Sequence, residues 1–138
     1  MKINKNRDFC PYSRTLNIFG DRWSFLIIRD MIFAGKNTYG DFLKSPEGIA
    51  TNILASRLAM LEENDIIQKS EHPDSKAKAL YTLTRKGMDL LPIMAEIYLW
   101  GEKHYPVPDE MKAEMDIFKT DKEAAIEKIY RRIEKNGK

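Results

Sequence analysis

The sequence predicts a mainly α-helical fold carrying one small β-hairpin (α+β), and three observations predict it. Leu54, Leu58 and Leu61 recur at i, i+4 and i+7 just after a tight connection, Pro46-Glu47-Gly48, which is the stripe of a helix with one buried face. Residues 66–71 and 79–83 read as two strands around Pro73-Asp74-Ser75-Lys76, a stretch with the turn chemistry of a hairpin. A further helical pattern, Met88, Leu91, Ala95, Tyr98 and Leu99, then runs toward Trp100 and Gly101.

Bulk properties bound this reading. At 138 residues the chain suits one compact domain with a modest core. Apolar residues at 43% and charged residues at 32% support packing and exclude wholesale disorder. Apolar runs such as residues 25–28 and 97–100 reach four residues, far below the roughly 20 of a membrane span. Residues 1–9 are polar, with Lys2, Lys5, Arg7 and Asp8. They lack the apolar stretch of a secretory signal, so a cytoplasmic location is expected. The net charge of +2 is compatible with a nucleic-acid partner and does not demand one.

Cys10-Pro11 opens a short leading helix in which Leu16, Ile18 and Phe19 share a face and which Gly20 ends. Asp21 is a good N-cap for the next helix, where Trp23, Leu26, Ile27, Met31 and Phe33 are expected to face the core before Gly35 stops the run. Residues 36–39 read as an extended piece, and residues 39–45 as a short helix that Pro46 terminates. The helix of residues 50–63 closes at Asn64-Asp65, and the hairpin follows. Thr84 is expected to cap the long helix, with Pro92 inside it as a kink. Beyond Pro106 and Pro108, residues 119–135 form a tail helix with Ala124, Ile126, Ile129, Tyr130 and Ile133 as its apolar positions. No internal repeat or low-complexity segment is present, which removes solenoid and linker readings.

Two short helices joined by a tight turn, with a basic-tipped hairpin directly after the second, are the order of a helix-turn-helix followed by a wing. With the leucine stripe inward, about 100° per residue places Asn52, Ser56 and Ala59 on the outward face of the second helix. Thr51, Asn52, Ala55 and Ser56 are therefore the groove-facing candidates. The polar side chains can bond base edges or phosphates, and the alanines allow close approach. Glu62 and Glu63 lie at the far end, where they need not meet phosphate. Arg57, at the flank of the stripe, has two readings: a phosphate contact, or a surface ion pair with Asp41 or Glu62. Lys76 and Lys78, with His72 when protonated, are the candidates for wing contacts to backbone phosphates. A solvated hairpin tip is the alternative for the same lysines.

Cys10-Pro11, Gly20-Asp21-Arg22-Trp23, Leu26-Ile27-Ile28-Arg29-Asp30 and Phe33 resemble the start of HxlR-type regulators, a MarR-like group. Residues 42–54, with Arg57-Leu58 and Leu61-Glu62, are similar to that family's helix-turn-helix. Tyr81-Thr82-Leu83-Thr84-Arg85-Lys86-Gly87 is similar to its strand-to-helix junction. The resemblance covers residues 10–107, and its ordered run of motifs is more specific than any single short pattern. It implies a winged helix-turn-helix with extra N- and C-terminal dimerisation helices. It also implies a homodimeric transcriptional regulator, usually a repressor, that binds two half-sites of double-stranded operator DNA. The chain then divides into a DNA-binding domain at 10–108 and a helical tail at 109–138 whose expected role is dimerisation.

In some members of that family a cysteine at the Cys10 position alters DNA binding on oxidation or reaction with an electrophile, so the resemblance implies a thiol switch. A helix start beside Arg14 is a setting that favours a thiolate, while an inert thiol packed in the dimer seam fits the same residue. As the single cysteine of the chain, it can form a disulfide only between subunits or with a small thiol. A domain this small has more apolar helix than one core absorbs. Met94, Ile97, Tyr98 and Trp100, with Ile126, Ile129 and Tyr130 of the tail, are therefore the expected dimer interface, with ordinary core packing as the alternative.

An enzyme is not expected, because Cys10, His72 and His104 fall in three different elements and no spaced carboxylate cluster accompanies them. No C-x-x-C or H-x-x-x-H spacing favours zinc, and Gly20, Gly35, Gly40 and Gly48 read as helix stops and turns, so no metal and no cofactor is expected. Two rivals remain. A winged helix can dock a protein partner in place of DNA, and between residues 36 and 87 eight basic residues stand against seven acidic ones. The other rival is a regulator controlled by a small apolar ligand at the dimer interface, with Trp23, Tyr98 and Trp100 as its aromatic candidates.

Overall fold

The computed structural model describes residues 10–136, and its internal contacts divide into two units, one up to Thr84 and one from Arg85 onward.

The first unit opens with α1 (Pro11–Phe19) and α2 (Arg22–Phe33). Pro11 sits in the first turn of α1, where a missing N–H is tolerated. Gly20 ends the helix, its N–H donating to the Leu16 carbonyl at 2.8 Å. A Cβ on Gly20 would stand 2.3 Å from that same oxygen, so the junction requires glycine. Of the expected α1 face only Phe19 is buried, and Leu16 is 59% exposed. Asp21 caps α2 as expected, accepting from the Ser24 backbone N–H at 2.9 Å and from its hydroxyl at 2.7 Å.

The buried side of α2 is formed by Ser24, Ile27, Ile28, Asp30 and Ile32, whereas Trp23, Leu26, Met31 and Phe33 are half-buried. This corrects the expected core face. Eight of the twelve positions of α2 are apolar and they fall on both sides of the helix, so periodicity does not select a side. The two polar residues inside, Ser24 and Asp30, are there because each finds hydrogen-bond partners.

Next come α3 (Tyr39–Leu43) and α4 (Thr51–Glu63). The Thr38 hydroxyl caps α3 by accepting from the Asp41 N–H at 3.2 Å, and Gly40 lies within the helix rather than in a turn. Leu54, Leu58 and Leu61 are buried, as their spacing predicts, and α4 packs against α2 and α3. Asn64 closes α4, its side-chain amide donating to the Met60 carbonyl at 2.8 Å. Asp65 then turns the chain with a left-handed φ of 60°, a conformation aspartate tolerates better than most residues.

β1 (Ile67–His72) and β2 (Ser75–Leu83) form an antiparallel hairpin. The ladder runs from Ile67 opposite Leu83 to Glu71 opposite Ala79, then shifts so that His72 faces Ser75. β2 is therefore longer than residues 79–83. Lys76, Ala77 and Lys78 are extra residues of a bulge at the tip, a device that bends the strand. The Tyr81 N–H donates to the Asn37 carbonyl at 2.8 Å, so the extended piece before α3 adds one contact to the sheet edge.

The second unit comprises α5 (Arg85–Met88), α6 (Leu91–His104), α7 (Asp109–Met115), α8 (Ile117–Thr120) and α9 (Lys122–Asn136). The expected single helix after Thr84 is thus two helices. Pro92 does not kink it: it lies in the first turn of α6, the one helical place where proline is favoured. The tail helix likewise starts at Lys122. Asp121 breaks it from α8, and its carboxylate accepts from the Ala124 N–H at 3.1 Å. α9 packs against α6 and α8, and Met94, Ala95, Met115, Phe118 and Ala125 are buried. Ala125 takes the inward place expected for Ala124, which is exposed. The Arg85 guanidinium lies over the Tyr130 ring at 4.9 Å and pairs with Asp89 at 3.4 Å and Glu134 at 3.3 Å. No helix among the described residues is long and apolar enough to cross a membrane.

Candidate nucleic-acid interface

Burying its leucine stripe turns Thr51, Asn52, Ala55, Ser56 and Ala59 of α4 outward, and all five are exposed. The Tyr39 hydroxyl donates to the Thr51 carbonyl at 2.9 Å, tying the start of α3 to the start of α4. Ala50 stands at the N-cap of α4 with no side-chain acceptor, which leaves the positive end of this helix open. Lys76 and Lys78 are exposed on the hairpin bulge, and Lys69 is exposed on β1. His72 is half-buried, its Nδ1 accepting from the Asp74 N–H at 3.1 Å.

The turn between α3 and α4 is held by a polar cluster on α2. Arg29 Nη1 and Nη2 donate to Glu47 Oε2 and Oε1 at 2.9 and 2.8 Å, a bidentate pair. Arg29 Nε and Nη2 also donate to Asp30 Oδ1 at 3.0 and 2.8 Å. The other oxygen of the buried Asp30 accepts from the Ser45 hydroxyl, and the Lys36 ammonium donates to Ser45 Oγ at 3.1 Å. The hydrogen bonds from Arg29 push the Glu47 carboxyl down to about 2, against the opposing effect of burial. The same bonds hold the Arg29 guanidinium above its ordinary value. Gly48 completes the turn with a φ of 70° and an N–H donating to the Ser45 carbonyl at 3.0 Å. Sequence reasoning did not single out this cluster, although its signal was present. Arg29-Asp30 is a charged pair inside the otherwise apolar stretch of residues 25–33.

Arg57 is half-buried, and the ion pair it makes is with Asp21, at 3.3 Å, rather than with Asp41 or Glu62. Cys10 is the N-cap of α1, a half-buried free thiol. Among the expected interface residues, Ile97 and Trp100 are 53% and 61% exposed, while Tyr98, Ile126, Ile129 and Tyr130 are half-buried. The Trp100 ring stands 4.8 Å from that of His104 and 6.0 Å from that of Tyr105. Met94 is buried within the second unit. Of the three aromatic ligand candidates, Trp23 belongs to the first unit and lines a recess with Leu26, Ile27, Phe42 and Ile49, whereas Tyr98 and Trp100 belong to the second.

A family model described as HxlR-like helix-turn-helix matches residues 18–109, a span that includes α2, the turn cluster, α4, the hairpin and α6. The chain belongs to the HxlR-like helix-turn-helix family. The HTH-type transcriptional regulator YodB of Bacillus subtilis is 30% identical over 95 residues, 68% of this chain and 84% of YodB. The solved PA1607 superposes with a TM-score of 0.66 at 40% identity, covering 75% of this chain and 71% of PA1607. The redox regulator HypR in its oxidized form superposes with a TM-score of 0.61 at 27% identity, covering 71% of this chain and all of HypR. This HxlR-like protein is accordingly a DNA-binding transcriptional regulator with a winged helix-turn-helix fold.

Proposed function

We propose that this HxlR-like regulator binds double-stranded operator DNA as a homodimer, with α4 in the major groove of each half-site and the hairpin beside it. One observation carries the reading. The outward face of α4, with Thr51, Asn52, Ala55 and Ser56, belongs to the same compact unit as the exposed lysines of the hairpin bulge, Lys76 and Lys78. Asn52 and Ser56 supply donors and acceptors for base edges, Ala55 permits close approach, and the lysines supply phosphate contacts that add affinity with little sequence information.

Exposed apolar side chains support the dimer. Ile93, Ile97 and Trp100 stand 40%, 53% and 61% exposed at i, i+4 and i+7 of α6, an apolar stripe of the kind that a second copy covers. Residues 10–108 form the DNA-binding domain in this reading, and the tail, through Ile126, Ile129 and Tyr130, enlarges the dimer surface. The regulator acts in the cytoplasm as a repressor. Cys10 is the thiol through which an oxidant or electrophile alters DNA binding. The half-buried position of the thiol at a helix start and the similarity to a redox regulator support that assignment.

The test is selection of genomic fragments by the purified full chain, reduced and then treated with a mild thiol oxidant, alongside Cys10→Ser. The reading expects the reduced protein to retain specific fragments, and oxidation to change retention in the wild type alone. An equal response in Cys10→Ser would remove the thiol switch, and no retained fragment in either state would favour a winged helix that docks protein.

A further inference from the structure

We infer that Arg57 is a positioning residue, which fixes the presentation of α4 through Asp21 and does not itself contact DNA. The inference rests on the DNA-binding reading of α4.

Arg57 lies among the candidate contact residues in sequence, yet its guanidinium is turned toward α2. Its Nε is shielded from solvent and stands 3.3 Å from Asp21 Oδ2, an ion-pair contact without the geometry of a hydrogen bond. Asp21 is not free to follow Arg57 toward a phosphate. Its two carboxylate oxygens already accept from the Ser24 N–H and hydroxyl at 2.9 and 2.7 Å, and Ser24 is fully buried. A phosphate contact through Nε would exchange one ion pair for another and leave the Asp21 carboxylate, still held by Ser24, beside a polyanion.

The pair has a geometric consequence that the leucine stripe alone does not supply. Arg29 holds Glu47 by two hydrogen bonds in the turn before α4, and Asp21 pairs by charge with Arg57 near the middle of α4. Both holding residues belong to α2 or to its cap. Two holds at different heights limit the roll of α4 about its axis, and that roll decides whether Asn52 and Ser56 point into a groove.

The experiment measures affinity and salt dependence on a duplex selected by the wild-type full chain from genomic fragments, using Asp21→Asn, Arg57→Gln and the double variant. Asparagine keeps the α2 cap and removes only the charge. Positioning predicts that each single variant weakens specific binding by about two- to fivefold. The double variant is then no weaker than the weaker single, and the salt slope of all three matches the wild type. Thermal melting of Asp21→Asn, compared with the wild type, separates lost orientation from lost fold.

A direct phosphate contact predicts the opposite sign, since Asp21→Asn frees Arg57 and removes a negative charge near DNA. Tighter binding by Asp21→Asn, or a salt slope lowered by about 1 in Arg57→Gln, overturns the inference. Additive losses in the double variant also overturn it. Failure of the wild type to select any duplex overturns the DNA-binding reading itself, a result distinct from the others.

Discussion

Arg29 and Glu47, 18 positions apart, are joined by two hydrogen bonds of 2.9 and 2.8 Å that fasten α2 to the turn leading into α4. The pair makes stability depend on pH in one direction. The Glu47 carboxyl falls from an ordinary 4.5 to about 2 in the folded chain. Its contribution is therefore complete above the unfolded value and is lost as pH falls toward 2. Glu47→Gln is expected to cost about 1 kcal/mol at pH 7, allowing for solvent screening of a partly exposed pair. Urea unfolding at pH 7 and pH 3 checks this. The gap between wild type and variant narrows at the lower pH, and a constant gap contradicts the assignment.

Gly20→Ala is expected to destabilise the first unit by about 1–3 kcal/mol, because its Cβ would meet the Leu16 carbonyl oxygen and backbone must move. Gly48→Ala is expected to cost about 1 kcal/mol for another reason, the left-handed backbone that the turn before α4 requires. Thermal denaturation of both variants reads the losses, and wild-type melting in either would count against the corresponding constraint.

Lys76→Ala and Lys78→Ala are each expected to lower the salt slope of operator binding by about 1 and to weaken specific and nonspecific duplexes alike. Asn52→Ala is expected to cost about 1–3 kcal/mol on the selected duplex and little on a random one. Fluorescence anisotropy titrations on the two duplexes distinguish the two classes. A reversed pattern would exchange the roles given to α4 and the hairpin.

Trp100→Ala is expected to weaken self-association by about 2 kcal/mol, as for an aromatic anchor at the centre of an interface, and Ile97→Glu is expected to abolish it. Sedimentation equilibrium reads both. A monomeric wild type, or a dimer indifferent to both changes, would move the interface away from the exposed stripe of α6.

The helix-turn-helix and hairpin were legible in the sequence because each carries a strong local signal. The spacing of Leu54, Leu58 and Leu61 sets the inward side of α4, and Asp21 marks the start of α2. Less was legible where the choice depends on packing. In α2 apolar residues occupy both sides, so only the partners of Ser24 and Asp30 reveal which side is buried. Pro92 reads in sequence as a kink, and becomes a helix start because the chain breaks after Met88. The cluster of Arg29, Asp30, Lys36, Ser45 and Glu47 joins residues from α2 and the turn, and its bonds exist only once α2 lies against that turn. Arg57 finds Asp21 for the same reason, since no spacing rule links a helix cap to a residue 36 positions later.

The salt dependence of binding between the full chain and its selected duplex tests the DNA-binding reading most directly. That reading predicts that the logarithm of affinity falls linearly with the logarithm of salt concentration, with a slope that reflects several phosphate contacts. Affinity indifferent to salt would contradict it and return the winged helix to a protein-docking role.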